Sequence, residues 1–229
     1  MLNTAEIWAP IILSLEVAFL VVIITALLGL PLSRLMARGH FAGRDIIESI
    51  ITLPLVLPPS VTGYALLILV SKNGLLGGWL DSIGFPVVFT WRAIVLASLV
   101  VAFPLFYRSA RAAIESVNPN YEQAARTLGA GELRVFLTVT LPLASRGIIA
   151  GLVLSFARSL GEFGATLMVA GNIPGQTQTI PTAIYFAVEA GHDQTAQVLV
   201  AVVTLISFAV IYWVNYSERR GIKHNLRRE

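Results

Sequence analysis

Long apolar runs separated by short polar segments form the main pattern along this chain. Residues 11–30 make about twenty consecutive positions with a single charge, Glu16, and a helix of that length crosses the hydrocarbon core of a bilayer. The same criterion predicts spans at 11–30, from 46 or 50 to 70, and at 93–106, 147–170 and 196–214. The pattern therefore predicts an all-α membrane protein with about five transmembrane helices, in one transmembrane domain covering residues 1–229.

The second predicted span contains residues that interrupt a regular helix. Pro54, Pro58 and Pro59 each leave a backbone carbonyl without its helical partner, and lipid cannot satisfy such a group. Residues 53–64 therefore form either a broken helix that faces a translocation pathway or a kinked helix with a structural role. Pro58, Pro59 and Ser60 are the pathway candidates in this segment.

The fourth predicted span carries small residues at helical spacing. Gly147, Gly151, Ser155 and Ser159 recur every four residues and form one ridge, which favours close packing against a helix of the same subunit or of a partner. Further along, residues 180–190 form an apolar run that is too short to span. This run is expected to re-enter the membrane or to lie at its interface.

Composition supports a membrane protein and excludes several classes of site. The chain is 56% hydrophobic and 13% charged, whereas soluble domains are about 25% charged. It has no cysteine, so disulfides and thiolate metal sites are excluded. Lys and Arg do not cluster as a nucleic-acid surface requires. No Gly-Lys pair, H-E-x-x-H or G-x-S-x-G occurs, so neither a phosphate-binding loop nor these catalytic motifs are present.

The distribution of cations predicts the orientation. Three Lys or Arg residues lie in segment 33–45, five in segment 107–146 and five in the tail after 214, and these segments fall on one side of the membrane. The other side receives only Lys72 and Arg92. Cytoplasmic segments are enriched in Lys and Arg. The N-terminus is therefore predicted outside and the C-terminus inside, with residues 118–142 in the cytoplasm.

Residues 118–142 form a polar stretch between two predicted spans. Asn118 and Pro119 are typical of the start of a helix, and Glu122 falls in its first turn, where the helix dipole favours a negative charge. Gly129 is typical of a helix end. A second helical run, 132–141, is predicted to stop at Pro142. The pattern predicts a short helix, a tight turn and a second helix.

This stretch resembles the EAA loop of ABC-transporter permease subunits, with the pattern E-A-A-x3-G-x9-I-x-L-P. Gln123 and Val139 depart from that pattern, although Glu122 supplies a carboxylate one residue earlier. In that family the loop is the cytoplasmic coupling helix, which docks on the ATP-hydrolysing subunit. The resemblance implies a coupling role for Glu122, Gln123, Ala124, Ala125, Gly129, Leu141 and Pro142.

Two further segments, 161–166 and 172–181, resemble the oxyanion branch of these permeases, and 54–67 resembles the molybdate permeases more than the longer sulfate ones. The resemblance implies a homodimeric, multi-pass pore in the cytoplasmic membrane. It also implies an extracytoplasmic oxyanion-binding protein and two cytoplasmic ATPase subunits as partners. ATP and Mg are then expected on the ATPase, with no cofactor or metal in this chain. Sulfate, thiosulfate or tungstate are the alternative cargoes.

Arg158 and Glu162 lie one helical turn apart near the middle of the fourth span. Gly161 and Gly164 flank the carboxylate and favour a break in the helix at that depth. Charges inside a membrane mark functional pathways by default. The two residues are either a structural ion pair or part of the translocation pathway. They are also the only catalytic pair available to an intramembrane enzyme, which, with a passive channel, is the remaining alternative to a permease.

Overall fold

The computed structural model describes residues 4–39 and 41–225, and side chains within 6–39 and 41–212. These residues form helices and connecting turns, and no strand occurs among them. The helices are α1 (Thr4–Arg38), α2 (Arg44–Thr52), α3 (Pro59–Val70), α4 (Gly77–Ser82), α5 (Trp91–Glu115), α6 (Pro119–Thr127), α7 (Glu132–Val135), α8 (Leu141–Leu160), α9 (Gly164–Ala170), α10 (Ile180–Glu189) and α11 (Asp193–Asn225). A 3-10 turn, Leu53–Leu55, follows α2. One turn of π-helix, Phe136–Thr140, joins α7 to α8, and we call it the π-turn.

Four described helical stretches are long and apolar enough to cross a membrane, namely 6–38, 91–115, 132–160 and 193–212. The α2–α3 pair provides a fifth span that is bent by 113°. Pro58 is extended at this bend, with φ −54° and ψ 139°, and Pro59 opens α3. The predictions of about five transmembrane helices and of a broken second span are confirmed.

The helix α5 packs between α1 and α8. It runs antiparallel to α8, since Ser109 Oγ donates to the carbonyl of Gly147 at 2.8 Å and Ser155 Oγ donates to that of Ala102 at 3.1 Å. A Cβ added to Gly147 would lie 2.5 Å from the Cβ of Ala113. The small-residue ridge therefore packs against a helix of the same chain, and the predicted close packing is confirmed.

Two transmembrane helices extend beyond the apolar runs that predicted them. The sequence of residues 33–45 predicts a compact basic loop, but α1 continues through Pro31 to Arg38, so Arg34 and Arg38 lie on a helix. His40, in the same predicted loop, lies outside the described residues. The helix α5 likewise continues to Glu115. Because the backbone hydrogen bonds of a helix are internal, a helix can continue past the lipid into water. The apolar run then marks only part of its length.

The helix that was predicted to stop at Pro142 continues through this residue. The α7 helix, the π-turn and α8 form one stretch, Glu132–Leu160, so the fourth span does not start at 147. Pro142 lies in the first turn of α8, directly after the π-turn. A π-turn shifts the hydrogen bonds to i−5 spacing, which accommodates a residue that lacks an N–H donor. The second helix of the predicted hairpin is therefore the beginning of the fourth span.

The fourth span is interrupted at residues 161–163, where the two glycines predicted a break. The short helix α9 follows and packs on α3. A Cβ added to Gly63 would lie 2.7 Å from the Cα of Ala165, and one added to Gly164 would lie 2.9 Å from the Cβ of Pro59. Glycine is needed at both contacts because the backbones approach so closely. The broken halves of the second and fourth spans therefore meet.

The apolar run after residue 179 forms α10, which has ten residues. A helix of this length rises only about 15 Å, half of the hydrocarbon core, in agreement with the expectation that it is too short to span. The backbone N–H of Ile180 donates to Ser14 Oγ of α1 at 2.9 Å, which fixes the start of α10 against the first span. The glycine-rich segment 71–92 contains one short helix, α4.

Candidate coupling site and translocation pathway

The helix α6 begins and ends at the residues that the sequence predicted. The side chain of Asn118 accepts a hydrogen bond from the N–H of Asn120 at 3.0 Å, and Pro119 is the first helical residue. Gly129 follows α6 with a φ of +83°, a left-handed conformation that glycine adopts without a steric penalty. The chain then turns into α7. The short helix and the tight turn are therefore confirmed.

One side of α6 is exposed and partly apolar. Tyr121 is 58% exposed and Leu128, at the end of the helix, is 88% exposed; residues seven apart lie on the same side. Ala124 lies between them and is also exposed. Beyond the turn, the exposed Leu133 borders a hollow of about 540 Å³ formed within residues 131–138. Exposed large apolar side chains grouped in this way are typical of a protein interaction site.

The opposite side of α6 is anchored by Glu122, which is 4% exposed. Its Oε1 lies 3.1 Å from an Nη2 of Arg38 and accepts a hydrogen bond from Thr140 Oγ1 at 2.8 Å. The same guanidinium donates to the carbonyls of Ile114 and Val117 at 3.1 and 3.0 Å. We call Glu122, Arg38 and Thr140 the Glu122 clamp. It joins α6 to the ends of α1 and α5 and to the π-turn.

A second set of ion pairs lies at the turn between α6 and α7. Arg126 Nη2 donates to Glu132 Oε2 at 3.1 Å, and this carboxylate lies 3.4 Å from Arg34 of α1. The hydrogen bond that Arg126 donates to Glu132 raises the pKa of Arg126, so its guanidinium stays charged. Arg34 also lies over the ring of Phe136, 4.5 Å from its centroid. The polar end of α1 therefore contacts both α6 and α7.

The residues of the EAA-like pattern fall in different environments. Glu122 is buried, Gln123 and Ala124 are exposed, and Ala125 is half-buried. Leu141 packs against the buried cluster around Phe106 and Ile114, whereas Pro142 is exposed. The sequence did not indicate the burial of Glu122, because its partner Arg38 is 84 residues away. The coupling role of the residues in the EAA-like pattern remains a prediction.

The structure brings the two groups of pathway candidates together. Pro58, Pro59 and Ser60 are exposed at the start of α3. A Cβ added to Gly164, two residues after Glu162, would lie 2.9 Å from Pro59 and 3.5 Å from the backbone N of Ser60. The broken second span and the charged part of the fourth span are therefore neighbours.

Arg158 and Glu162 form the ion pair that their spacing predicted. Arg158 Nη2 lies 2.7 Å from Glu162 Oε2, and Glu162 Oε1 accepts a hydrogen bond from the N–H of Ala165 at 2.8 Å. The carboxylate thus holds the start of α9 in addition to neutralising the arginine. Its side chain is 1% exposed, whereas that of Arg158 is 30% exposed. The buried carboxylate therefore joins the end of α8 to the start of α9, and Arg158 is the more exposed member of the pair.

Comparison with known proteins identifies the family. Residues 29–223 match the model of the binding-protein-dependent transport system inner membrane component. The molybdenum transport system permease protein ModB of Escherichia coli is 45% identical over 219 residues, which cover 93% of this chain and 96% of that protein. The putative molybdenum transport system permease protein YvgM of Bacillus subtilis is 42% identical, with coverages of 93% and 94%. The sulfate transport system permease protein CysT of E. coli is 34% identical, with coverages of 89% and 73%.

A solved structure of the inward-facing MetNI methionine ABC transporter has the same fold. Its chain aligns with a TM-score of 0.72 at 13% identity, and the alignment covers 96% of this chain and 99% of that one. The helical architecture, the family match and the relatives agree. The chain belongs to the binding-protein-dependent transport system inner membrane components, the membrane-spanning permeases of ABC importers.

Proposed function

We propose that this chain is the permease subunit of an ATP-driven importer that carries molybdate across the cytoplasmic membrane. Two relatives named for molybdenum transport support this cargo, since they are 42% and 45% identical over more than nine tenths of each chain. Sulfate, with thiosulfate or tungstate, is the second candidate, and the 34% identity to the sulfate permease favours it less.

The geometry of α6 is the observation that carries the mechanism. One side of the helix is exposed and partly apolar through Tyr121 and Leu128, and the other is anchored by the buried Glu122. An apolar helix face fits a groove of a partner protein. We place two ATPase subunits here, one on each copy of the chain. ATP and Mg²⁺ bind on these partners, because this chain lacks the Gly-Lys pair of a phosphate-binding loop.

Closure of the ATPase pair moves α6, and two connections transmit the movement. The Glu122 clamp connects α6 to α1 and α5, and the helical stretch Glu132–Leu160 enters the membrane directly. A second copy of the chain completes the pore. Its pathway is lined by Pro58, Pro59 and Ser60 together with Arg158, whose charge Glu162 balances. An extracytoplasmic binding protein delivers the oxyanion on the side of the N-terminus, and the C-terminus lies in the cytoplasm.

Reconstitution tests this proposal. The chain is expressed with its ATPase, purified in detergent and inserted into liposomes, and ATP hydrolysis and radioactive molybdate uptake are measured with a molybdate-loaded binding protein. We expect uptake that requires both ATP and the loaded binding protein. If only a sulfate-loaded binding protein stimulates ATP hydrolysis and uptake, sulfate is the cargo and the mechanism is unchanged. Purification without any ATPase would overturn the importer itself.

A further inference from the structure

An apolar groove of about 570 Å³ lies between α1, α8 and α11, away from the coupling helix and the pathway candidates. The helix α11 packs more closely on α10 than on α1 or α8, which leaves the groove open between them. Every residue that lines the groove is apolar, and six of them are Phe19, Val22, Ile149, Val153, Phe156 and Val210. Water gains no hydrogen bonds from such a lining, so the groove suits an apolar ligand.

The groove has one closed end and one end that points toward the start of α8. At the closed end, the ring centroids of Phe19 and Phe156 lie 5.3 Å apart. Ile149 precedes Phe156 on α8 by roughly 10 Å along the helix axis, in the direction of α7. In the proposed orientation α7 is cytoplasmic. The groove therefore runs from the membrane interior toward the inner surface of the bilayer.

A cation lies one helical turn beyond the cytoplasmic end of the groove. Arg146, Ile149 and Val153 are spaced by three and four residues, so they follow one another along the same side of α8. Arg146 is exposed and forms no ion pair with any residue whose side chain the structure describes. Side chains on a helix lean toward its N-terminus, which directs this guanidinium toward the headgroup region and away from the apolar lining.

We propose that the groove holds an acyl chain of an anionic, inner-leaflet phospholipid, and that Arg146 contacts the phosphate of the same molecule. The lining matches the acyl chain, and a guanidinium matches the oxygen geometry of a phosphate. The cation favours a lipid over a second copy of the chain, because the cytoplasmic segments of that copy also carry an excess of Lys and Arg. The lipid fills the space that separates α11 from α1 and α8. This inference rests on the proposed orientation and is independent of the cargo.

The test measures the lipid retained by the whole transporter, purified with its ATPase after exposure to equal amounts of phosphatidylglycerol and phosphatidylcholine. Native mass spectrometry counts each lipid. Val153→Trp fills the groove, and Leu205→Trp is its control, because Leu205 is 68% exposed on α11 and does not line the groove. Arg146→Gln removes the cation, and Arg108→Gln removes another exposed arginine that does not line the groove. Yield and a single elution peak in detergent establish that each variant folds.

We expect Val153→Trp to lower the retained phospholipid about tenfold, because the indole takes the place of the acyl chain. Arg146→Gln should lower the preference for phosphatidylglycerol over phosphatidylcholine about fivefold. Retention in Val153→Trp equal to that in Leu205→Trp would overturn the acyl site. A lipid preference in Arg146→Gln equal to that in Arg108→Gln would overturn the phosphate contact.

A second measurement needs no change in the groove. Phosphatidylglycerol with a diazirine at the end of its acyl chain is activated by light in the wild-type transporter, and the labelled peptides are identified. We expect labelling of α1 and α8 around Phe19 and Phe156, and labelling only elsewhere would refute the site. The chain has no cysteine, so Val153→Cys provides a single thiol. A disulfide between two copies of this variant would show that a second copy of the chain covers the groove, against the proposal.

Discussion

Replacing Glu122 by glutamine removes the charge that holds α6 to the transmembrane helices. Glutamine has nearly the same size and still accepts the hydrogen bond from Thr140, so the change removes the charge that pairs with Arg38 at 3.1 Å and, more weakly, with Arg126 at 3.8 Å. Arg38 keeps its two carbonyl acceptors. The variant should therefore fold and insert, with α6 held less tightly.

The size of the effect follows from burial. Removing one partner of a buried ion pair costs roughly 3–5 kcal/mol, because the other charge stays buried alone. The side chain of Arg38 is 29% exposed, and solvent screens part of its charge. We therefore expect a cost of about 2 kcal/mol, which corresponds to an open population of α6 that is about 30-fold larger.

Hydrogen exchange of the α6 amides in the reconstituted transporter measures this population. Glu122→Gln should exchange about 30-fold faster there, and uptake per ATP hydrolysed should fall. Glu189→Gln is the control, since Glu189 is exposed on α10 and its charge loss should leave α6 unchanged. Wild-type exchange in Glu122→Gln would show that the Glu122 clamp does not hold α6, and the proposed transmission through α1 would then be wrong.

Three other substitutions test the docking surface, the turn and the bundle. Leu128→Asp should weaken ATPase capture in a pull-down by more than tenfold, whereas Leu75→Asp, at a similarly exposed position, should not; equal capture would contradict docking on α6. Gly129→Val places a β-branched residue at φ +83°, which costs about 1–3 kcal/mol, so uptake should fall at normal abundance; normal uptake would reject the coupling assignment. Gly147→Leu should lower the free energy of unfolding in detergent by about 1–3 kcal/mol, because a Cβ at this position lies 2.5 Å from the Cβ of Ala113. An unchanged melting temperature would argue against this packing.

Local features of the sequence predicted the structure well where the chemistry is local. Asn118 and Gly129 set the limits of α6 because a cap and a left-handed residue act within one turn of the helix. The break at 161–163 followed from glycines beside a charged residue. The ridge starting at Gly147 indicated close packing, since small residues at this spacing let two helix backbones approach closely.

Features that depend on distant residues were not predictable in this way. Nothing near Glu122 in the sequence indicates that Arg38 will lie 3.1 Å from it, because only the packing of α1 against α5 brings them together. Pro142 was expected to end a helix, and the preceding π-turn accommodates it instead. A π-turn has no single residue that specifies it, so local propensity gives the wrong result there.

The continuous helical stretch from α7 through α8 can transmit a tilt at one end to a larger displacement at the other. The stretch Glu132–Leu160 has 29 residues, so it is roughly 43 Å long. A tilt of about 10° about its α7 end displaces its far end by roughly 7 Å. That far end adjoins the break at 161–163, where helical hydrogen bonding is interrupted and the chain can bend. In the proposed mechanism, a small movement of the ATPase subunits would therefore produce a larger displacement at the α3–α9 junction.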